Sequence, residues 1–461
     1  MPILGAFIVP HPPLIIPAVG KGEERKIQKT IDSYQNVADR IAALRPDTII
    51  VTTPHSILYA DYLHISPGSS AQGSFKDFGA LQVQMKVEYD TLLAESIEQK
   101  AGEQGIRAGF LGERNKSLDH GTMVPLHFIL PKCPNVKVVR ISLSGFSLLT
   151  HYRFGSCIAK AVEESDKRVV FVASGDLSHK LKEDGPYGFA KEGPVFDQTV
   201  TEAMAKGDFL SFLEFEEDFC DAASECGLRS FVIMAGALDG RNVSSELLSY
   251  EGPFGVGYGV AAYEPLGEND ERRFGEIYQK KLNIHLETIK AHEDSFVKLA
   301  RSTIENYVRF KKKIPRPDDL PKTLTDGRAG VFVSLKKDGR LRGCIGTIFP
   351  TTASIADEII QNAISSATAD NRFDPVEEYE LPDLVYSVDV LGVPEPIGSR
   401  EELDPKRYGV IVRMKNRCGL LLPNLEGIDS AEQQVGIALK KGNIGEKEPF
   451  SMERFEVIRH H

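Results

Sequence analysis

Three short runs, "GAFIV", "TIIVTT" and "VVFVAS", constrain the fold of this chain more than any other feature. Each is apolar and β-branched, too short for a stable helix, and free of the alternation a half-exposed strand would show. Strands of that texture are buried on both faces, as in a parallel sheet. "VKVVRISL" is a fourth. Between them, "KIQKTIDSYQNVADRIAAL", "YDTLLAESIEQKAGEQG" and "SCIAKAVEES" carry apolar residues at every third or fourth position, the helical period, and the second stops at Gly105. Repeated β-α-β units give a mainly parallel sheet with helices on both faces, an α/β domain. A Gly-rich strand, "PFGVGYGVAAYEP", closes it near residue 265.

The texture then changes. "LGENDERRFGEIYQKK" reads as a charged connection, and "HLETIKAHEDSFVKLARSTIENYVRF" as one long helix. After the loop "KKKIPRPDDLPK", the run "AGVFVSLKKDGRLRGCIGTI" predicts a hairpin turning at Asp338-Gly339. "TTASIADEIIQNAISSATA" is a helix with Thr or Ser for its cap, "DLVYSVDVLG" and "YGVIVRMKNRCGLLLP" are strands, and "SAEQQVGIALKKG" is a last helix stopped by Gly442. This half is α+β. The domain reading is 1–268, a linker at 269–284, and 285–461.

A chain of 461 residues has room for two such domains. Its net charge of -11 argues against nucleic acid or an anionic membrane as the main partner. No window approaches the roughly 18 consecutive apolar residues of a membrane span, and the N-terminus lacks the marks of a signal peptide. Six scattered cysteines (133, 157, 220, 226, 344 and 418), with no C-x-x-C pair, fit free thiols in a reducing cytoplasm.

Three histidines fall just after buried strands: His11 after "FIVP", His55 after "IIVTTP", and His179 in "SGDLSH". In an open parallel sheet the carboxyl ends of the strands form the ligand crevice, so the three rings share one rim. Two neutral imidazoles and one carboxylate make a site for a first-row divalent metal with positions left open, the pattern of non-haem iron(II). The carboxylates in reach of that reading are Asp61, Asp119, Asp176, Glu225 and Glu251. Glu225, in "DAASECGLRSFVIMAGAL", opens an almost wholly apolar helix, where an acid is favoured by the helix dipole, whether as a ligand or simply as a terminal acid. Asp176 and Ser178 read as caps that hold the loop presenting His179. His120 sits on a turn in "LDHGTMVPLHFIL", and His127 packs inside the following apolar run. His64 and His151 read as structural or exposed, His285 and His292 as solvated.

"VPHPP", "TPHS", "LDHGTMVPLHF", "SGDLSH" and the "SECG" helix, in this order, resemble the class III extradiol ring-cleaving dioxygenases of the LigB type and their Memo-like relatives, over about residues 3 to 265. The resemblance implies His11, His55 and Glu225 as iron(II) ligands, with another first-row divalent metal as the alternative. It implies His179 and His120 as the acid–base pair around a bound catechol. In Memo-like members a cysteine stands near the place of Glu225, which makes Cys226 an alternative site residue. The implied substrate is a small aromatic molecule or, on the alternative reading of a non-catalytic metal- or peptide-binding scaffold, a modified side chain of a partner. A homo-oligomer is compatible with either.

"LRGCIGTI", "DNRFDPVEEYELPDLVYSVDVL" and "CGLLLPNLEG" resemble the AMMECR family over about residues 285 to 458. The fused order is similar to the chains usually encoded beside a radical-SAM enzyme in the arrangement called AmmeMemoRadiSam, which implies a radical-SAM protein as partner. Within "LRGCIG", Arg342 and Cys344 stand beside glycines. The functional expectation is an anion or substrate site with Arg342 as a guanidinium fork, Cys344 as a thiol, and Arg372 joining them. The plainer expectation is a tightly packed strand with Cys344 as a small core residue, and Arg372 pairing with Asp374.

Overall fold

The computed structural model describes residues 3–112, 117–425 and 427–461. The chain divides into two compact units, Met1–Lys281 and Leu282–His461.

The first unit is built on a six-stranded sheet: β1 (Gly5–Val9), β2 (Thr48–Thr53), β3 (Lys137–Ser142), β4 (Val169–Ser174), β5 (Arg241–Glu251) and β6 (Tyr258–Glu268), in the order β3-β2-β4-β1-β6-β5. The first four run parallel, β6 pairs antiparallel with β1, and β5 pairs antiparallel with β6 at the edge. Both faces are dry. Ala6 and Ile8 of β1 point into one hydrophobic cluster, Phe7 and Val9 into another, and β4 divides Phe171 and Val172 the same way. That is why these strands read as unbroken apolar runs. Helix α1 (Gln28–Leu44) buries Tyr34, Val37, Ala38 and Ile41 on one stripe. Besides the short turns Pro17–Gly20 and Phe209–Leu213, the unit carries α2 (Thr91–Glu103), α3 (His120–Ile129), α4 (Leu148–Glu163), α5 (Glu192–Lys206), α6 (Glu217–Ala223) and α7 (Leu228–Ala237).

In the middle of the chain one expectation gains detail and another needs correction. The connection expected at 269–284 is helical from Phe274 onward, in a helix spanning Phe274–His292. Phe274 and Tyr278, one turn apart, pack on the core of the first unit, an apolar stripe that the dense charge conceals. The single long helix expected from 285 is two. Asp294 breaks it, accepting hydrogen bonds from Phe296 N–H (2.9 Å) and Val297 N–H (3.1 Å) to cap α8 (Ser295–Phe310). A capping side chain outcompetes continuation of the helix there.

The second unit holds two antiparallel sheets. One, in the order β8-β7-β9-β14, comprises β7 (Val331–Lys337), β8 (Arg340–Gly346), β9 (Leu384–Leu391) and β14 (Val457–His460). Val331, Val333 and Leu335 of β7 pack on α8 and α9 (Ile355–Thr368). Ser354 caps α9, and Asp338-Gly339 turns the β7–β8 hairpin with both residues at positive φ, as expected. The other sheet, β10 (Glu395–Ile397), β11 (Gly409–Met414), β12 (Arg417–Leu421) and β13 (Ser451–Phe455), lies under α10 (Ala431–Lys441). The six cysteines are free thiols. Among the described residues no helix is long and apolar enough to cross a membrane.

Candidate metal centre

The carboxyl ends of β1, β2 and β4 do form one rim. After β1 the chain runs through Pro10, His11 and Pro12, with the Tyr34 hydroxyl donating to the Pro10 carbonyl. His11 is 1% exposed, and its backbone N–H donates to Asp176 Oδ1 at 2.7 Å. Its ring is fixed from behind. Nδ1 lies 3.0 Å from Ser174 Oγ, and the Ser174 hydroxyl spends its proton on the Gly121 carbonyl at 2.6 Å. Ser174 therefore accepts from His11 Nδ1–H, which leaves the Nε2 lone pair facing the rim.

His55 leaves β2 with its backbone N–H on Thr53 Oγ1 (3.2 Å), and Thr53 donates in turn to Asp119 (2.6 Å). Asp119 caps α3 through Thr122 N–H at 3.0 Å and sits 3.6 Å from the buried Arg140 guanidinium. His120 is thus the first residue of a firmly capped helix. Its ring centroid lies 4.0 Å from that of His55 and 5.5 Å from that of His11.

The third element arrives from far along the chain. Ser224 adopts φ +52° to end α6, and Cys226 occupies the short segment before α7. Gly175 and Gly227 make the approach feasible: a Cβ on Gly175 would lie 2.1 Å from the Gly227 Cα. His11 Nε2 lies 2.9 Å from His55 Nε2 and 3.6 Å from Cys226 Sγ. These three donor atoms all fall within 4.8 Å of one another.

The two separations that involve His11, 2.9 Å to His55 and 3.6 Å to Cys226, lie close to what a shared ion requires. A first-row divalent ion bonded at about 2.1 Å to nitrogen and about 2.3 Å to sulfur holds two nitrogens roughly 3.0–3.4 Å apart and a nitrogen–sulfur pair roughly 3.1–3.6 Å apart. Burial, then the neighbouring rings, pushes His11 well below the ordinary imidazole value. Burial takes His55 to about 4, so both are neutral, the ligating form. Burial and the charges of Asp176 and Glu225 raise the Cys226 thiol, a preference that a bound cation reverses.

Glu225, the carboxylate expected as third ligand, is not in this group. Its Oε2 accepts from Leu228 N–H at 2.7 Å, the role of a helix-terminal acid. Cys226 stands in the group instead. Asp176, read in the sequence as a loop cap, is a carboxylate the site does hold. Its Oδ2 lies 3.9 Å from His11 Nε2, its carbonyl accepts from Cys226 Sγ at 3.7 Å, and burial raises its carboxyl to about 7. The signal was present in its position two residues past β4, beside His179.

His179 stands on the same rim. Its half-buried ring lies 5.0 Å from that of Tyr187, its Nε2 has no hydrogen-bond partner among the described residues, and burial lowers it to about 4. Phe78 sets its edge against His120 at 5.3 Å. Neither aromatic was expected from the sequence, because Phe78 ends a short 3-10 turn and Tyr187 lies in a turn-rich stretch, where no periodicity marks a side chain that faces a site. His64, read as structural or exposed, is wholly buried. His127 is half-buried.

In the second unit Arg342 does not present a free fork. Its Nε and Nη2 donate to the Glu380 carboxylate at 2.9 and 2.8 Å, and Nη1 to the Asp374 carbonyl at 2.9 Å. Arg372 pairs with Asp370 (2.7 Å), where the sequence suggested Asp374, and also donates to the Cys344 carbonyl at 3.1 Å. Cys344 is half-buried, with the Ser334 hydroxyl 3.2 Å from its sulfur.

Residues 5–261 match the family described as the catalytic LigB subunit of aromatic ring-opening dioxygenase, and residues 297–460 match AMMECR1. The protein CA_C1420 of Clostridium acetobutylicum is 43% identical, covering 100% of this chain and 99% of that one. A Thermotoga maritima protein is 50% identical over 36% of this chain and 98% of its own length. Among solved structures, PH0010 of Pyrococcus horikoshii shares 32% identity over 36% of this chain and 88% of its own, with a TM-score of 0.34.

Proposed function

The chain belongs, through its N-terminal unit, to the family of LigB catalytic subunits and carries an AMMECR1 domain in its second, and from that premise we propose a metal-dependent oxidoreductase acting on a catechol-type or related aromatic ring. Iron(II) is the first metal to test, with other first-row divalent ions behind it. The carrying observation is the convergence of His11 Nε2, His55 Nε2 and Cys226 Sγ at the carboxyl ends of the parallel strands. These three residues would hold the metal. When bound, such an ion supplies Lewis acidity toward a phenolic oxygen and redox capacity toward dioxygen.

The remaining work falls to the chain's own side chains. His120 and His179 flank the open side as neutral imidazoles, able to take a phenolic proton and return it to a leaving oxygen. Phe78 beside His120 and Tyr187 beside His179 supply flat ring faces that suit an aromatic substrate.

The test is metal analysis of protein purified without oxygen, followed by oxygen uptake with a panel of catechols. Iron-dependent uptake that disappears in His11→Ala and His55→Ala supports the proposal. Full metal content in both variants would sink the metal assignment. One observation favours a second reading, a metal-binding module that works with a radical-SAM partner without cleaving rings: Cys226 stands where the ring-cleaving pattern wants a carboxylate. Metal bound through these three residues, with no oxygen uptake across the panel, selects that second reading.

A further inference from the structure

One buried carboxylate outside the metal group has no role in the chemistry above, yet touches the loop that carries His179. Asp197, in the first turns of α5, is 1% exposed. Its Oδ1 accepts from Ser178 N–H at 2.8 Å, and its Oδ2 accepts from the Tyr250 hydroxyl of β5 at 2.7 Å. Ser178 is the residue immediately before His179 and is itself wholly buried.

We propose that Asp197 is a positioning residue: through the Ser178 amide it fixes where the His179 ring stands against the metal group. Its hydrogen bond closes a clamp the loop needs. The Ser178 hydroxyl donates to the Ala223 carbonyl at 2.8 Å, and the His179 amide donates to the same carbonyl at 3.3 Å. On the other side Leu177 N–H donates to the Gly257 carbonyl (2.8 Å), and Gly257 N–H to the Ser178 carbonyl (2.9 Å). Ala223 ends α6, just ahead of Cys226, so one short loop is held by α5, α6 and the chain entering β6 together.

This anchoring matters because the His179 ring has no tether of its own. Its Nε2 is buried and unpartnered among the described residues, and Tyr187, the ring beside it, is 59% exposed. A ring held only by its backbone inherits every shift of that backbone. The carboxylate suits the post because it offers acceptors to two donors at once, one on each oxygen. Burial raises its carboxyl to about 7, so an uncharged amide of the same shape is tolerated there.

The inference rests on the reading of His179 as a proton-handling group, and the experiment separates the two. Protein labelled with 15N-histidine is compared as wild type, Asp197→Asn and Asp197→Leu, with the His179 ring signals assigned through His179→Gln. Cobalt(II) titration reports the metal group in each. Asp197→Leu is expected to move or broaden the His179 signals while cobalt(II) affinity stays within about twofold, since the ligands share no contact with Asp197. Asp197→Asn, which can accept from Ser178 N–H and donate to Tyr250, is expected to restore the wild-type signals. With iron and a turned-over catechol, kcat falls in the Leu variant on the order of 10- to 100-fold with KM little changed. If Asp197→Leu does not fold, Tyr250→Phe removes one of the two anchors and is expected to give a smaller shift of the same signals. Unmoved His179 signals in the folded variant, or an Asn variant as perturbed as Leu, overturn the proposal. Absence of any oxygen uptake by wild type defeats the oxidoreductase reading alone, because the ring signals still decide this one.

Discussion

Ser174 accepts the Nδ1 proton of His11 because its own proton is committed to the Gly121 carbonyl, at 3.0 and 2.6 Å respectively. That chain sets the tautomer of a ring with no room to choose another. Ser174→Ala should leave the sheet intact, since the residue is a small one on a strand buried on both faces. It should cost about 1 kcal/mol of stability and weaken metal binding about 10- to 100-fold, as loss of an outer hydrogen bond to a ligating histidine does elsewhere. Metal titration alongside urea unfolding checks both numbers; unchanged affinity would mean the ring needs no such support.

On the proposed metal site, Cys226 should set which metals the group prefers. A thiolate beside two imidazoles favours softer ions than two imidazoles and a carboxylate do. Cys226→Asp should therefore shift preference toward iron(II) and manganese(II) and away from zinc(II). Cys226→Ser should weaken every ion by more than about tenfold, about 1.4 kcal/mol. Competition titrations read the order directly. In cobalt(II) protein the thiolate charge-transfer band should vanish in both variants, and a band that persists would remove Cys226 from the group.

Much of this was legible in the sequence, and the reasons differ by element. Strands buried on both faces announce themselves as apolar runs, so β1, β2 and β4 and the histidines after them could be placed without coordinates. The choice between Glu225 and Cys226 could not be read. Neighbouring residues in a short segment between two helices point in different directions: Glu225 accepts from Leu228 N–H, while Cys226 lies beside His11. Phe78 and Tyr187 were invisible because no periodicity marks a side chain in a short turn that stands beside a site. The helix from Phe274 was hidden by its charge, and the break at Asp294 by the apolar period running on either side of it.

Asp370 gives the second unit an acid-sensitive tie. Its side-chain bond to Arg372 first, then the amides of Cys344 and Arg372, hold its carboxyl well below the usual carboxylate range. A carboxyl depressed in the folded state contributes stability above its unfolded value of about 3.9, and that contribution drains away as pH falls below it. Amide exchange at Cys344, whose N–H donates to Asp370 at 2.9 Å, should accelerate as pH drops from about 4 toward 2.5, after correction for intrinsic rates. Asp370→Asn should be less protected at neutral pH by about 1–3 kcal/mol and should lose that acid dependence. An identical pH profile in the two proteins would count against the tie.

Gly343 tests whether "LRGCIG" is first a packing motif. A Cβ on this residue would stand 2.3 Å from the Ser366 carbonyl of α9, and backbone in a capped helix has little freedom to retreat. Two bonds lock the same spot: Ile345 N–H donates to Ser366 Oγ at 2.8 Å, and Ser366 Oγ donates to the Val333 carbonyl at 2.7 Å. Gly343→Ala must push β8 off α9 or break that pair, a cost of about 1–3 kcal/mol or more. Unfolding followed by residue-level exchange in β7, β8 and α9 should show the loss there and leave the first unit's sheet as protected as before. A neutral Gly343→Ala would mean the strand and helix can separate cheaply, and the glycine would then need a reason other than packing.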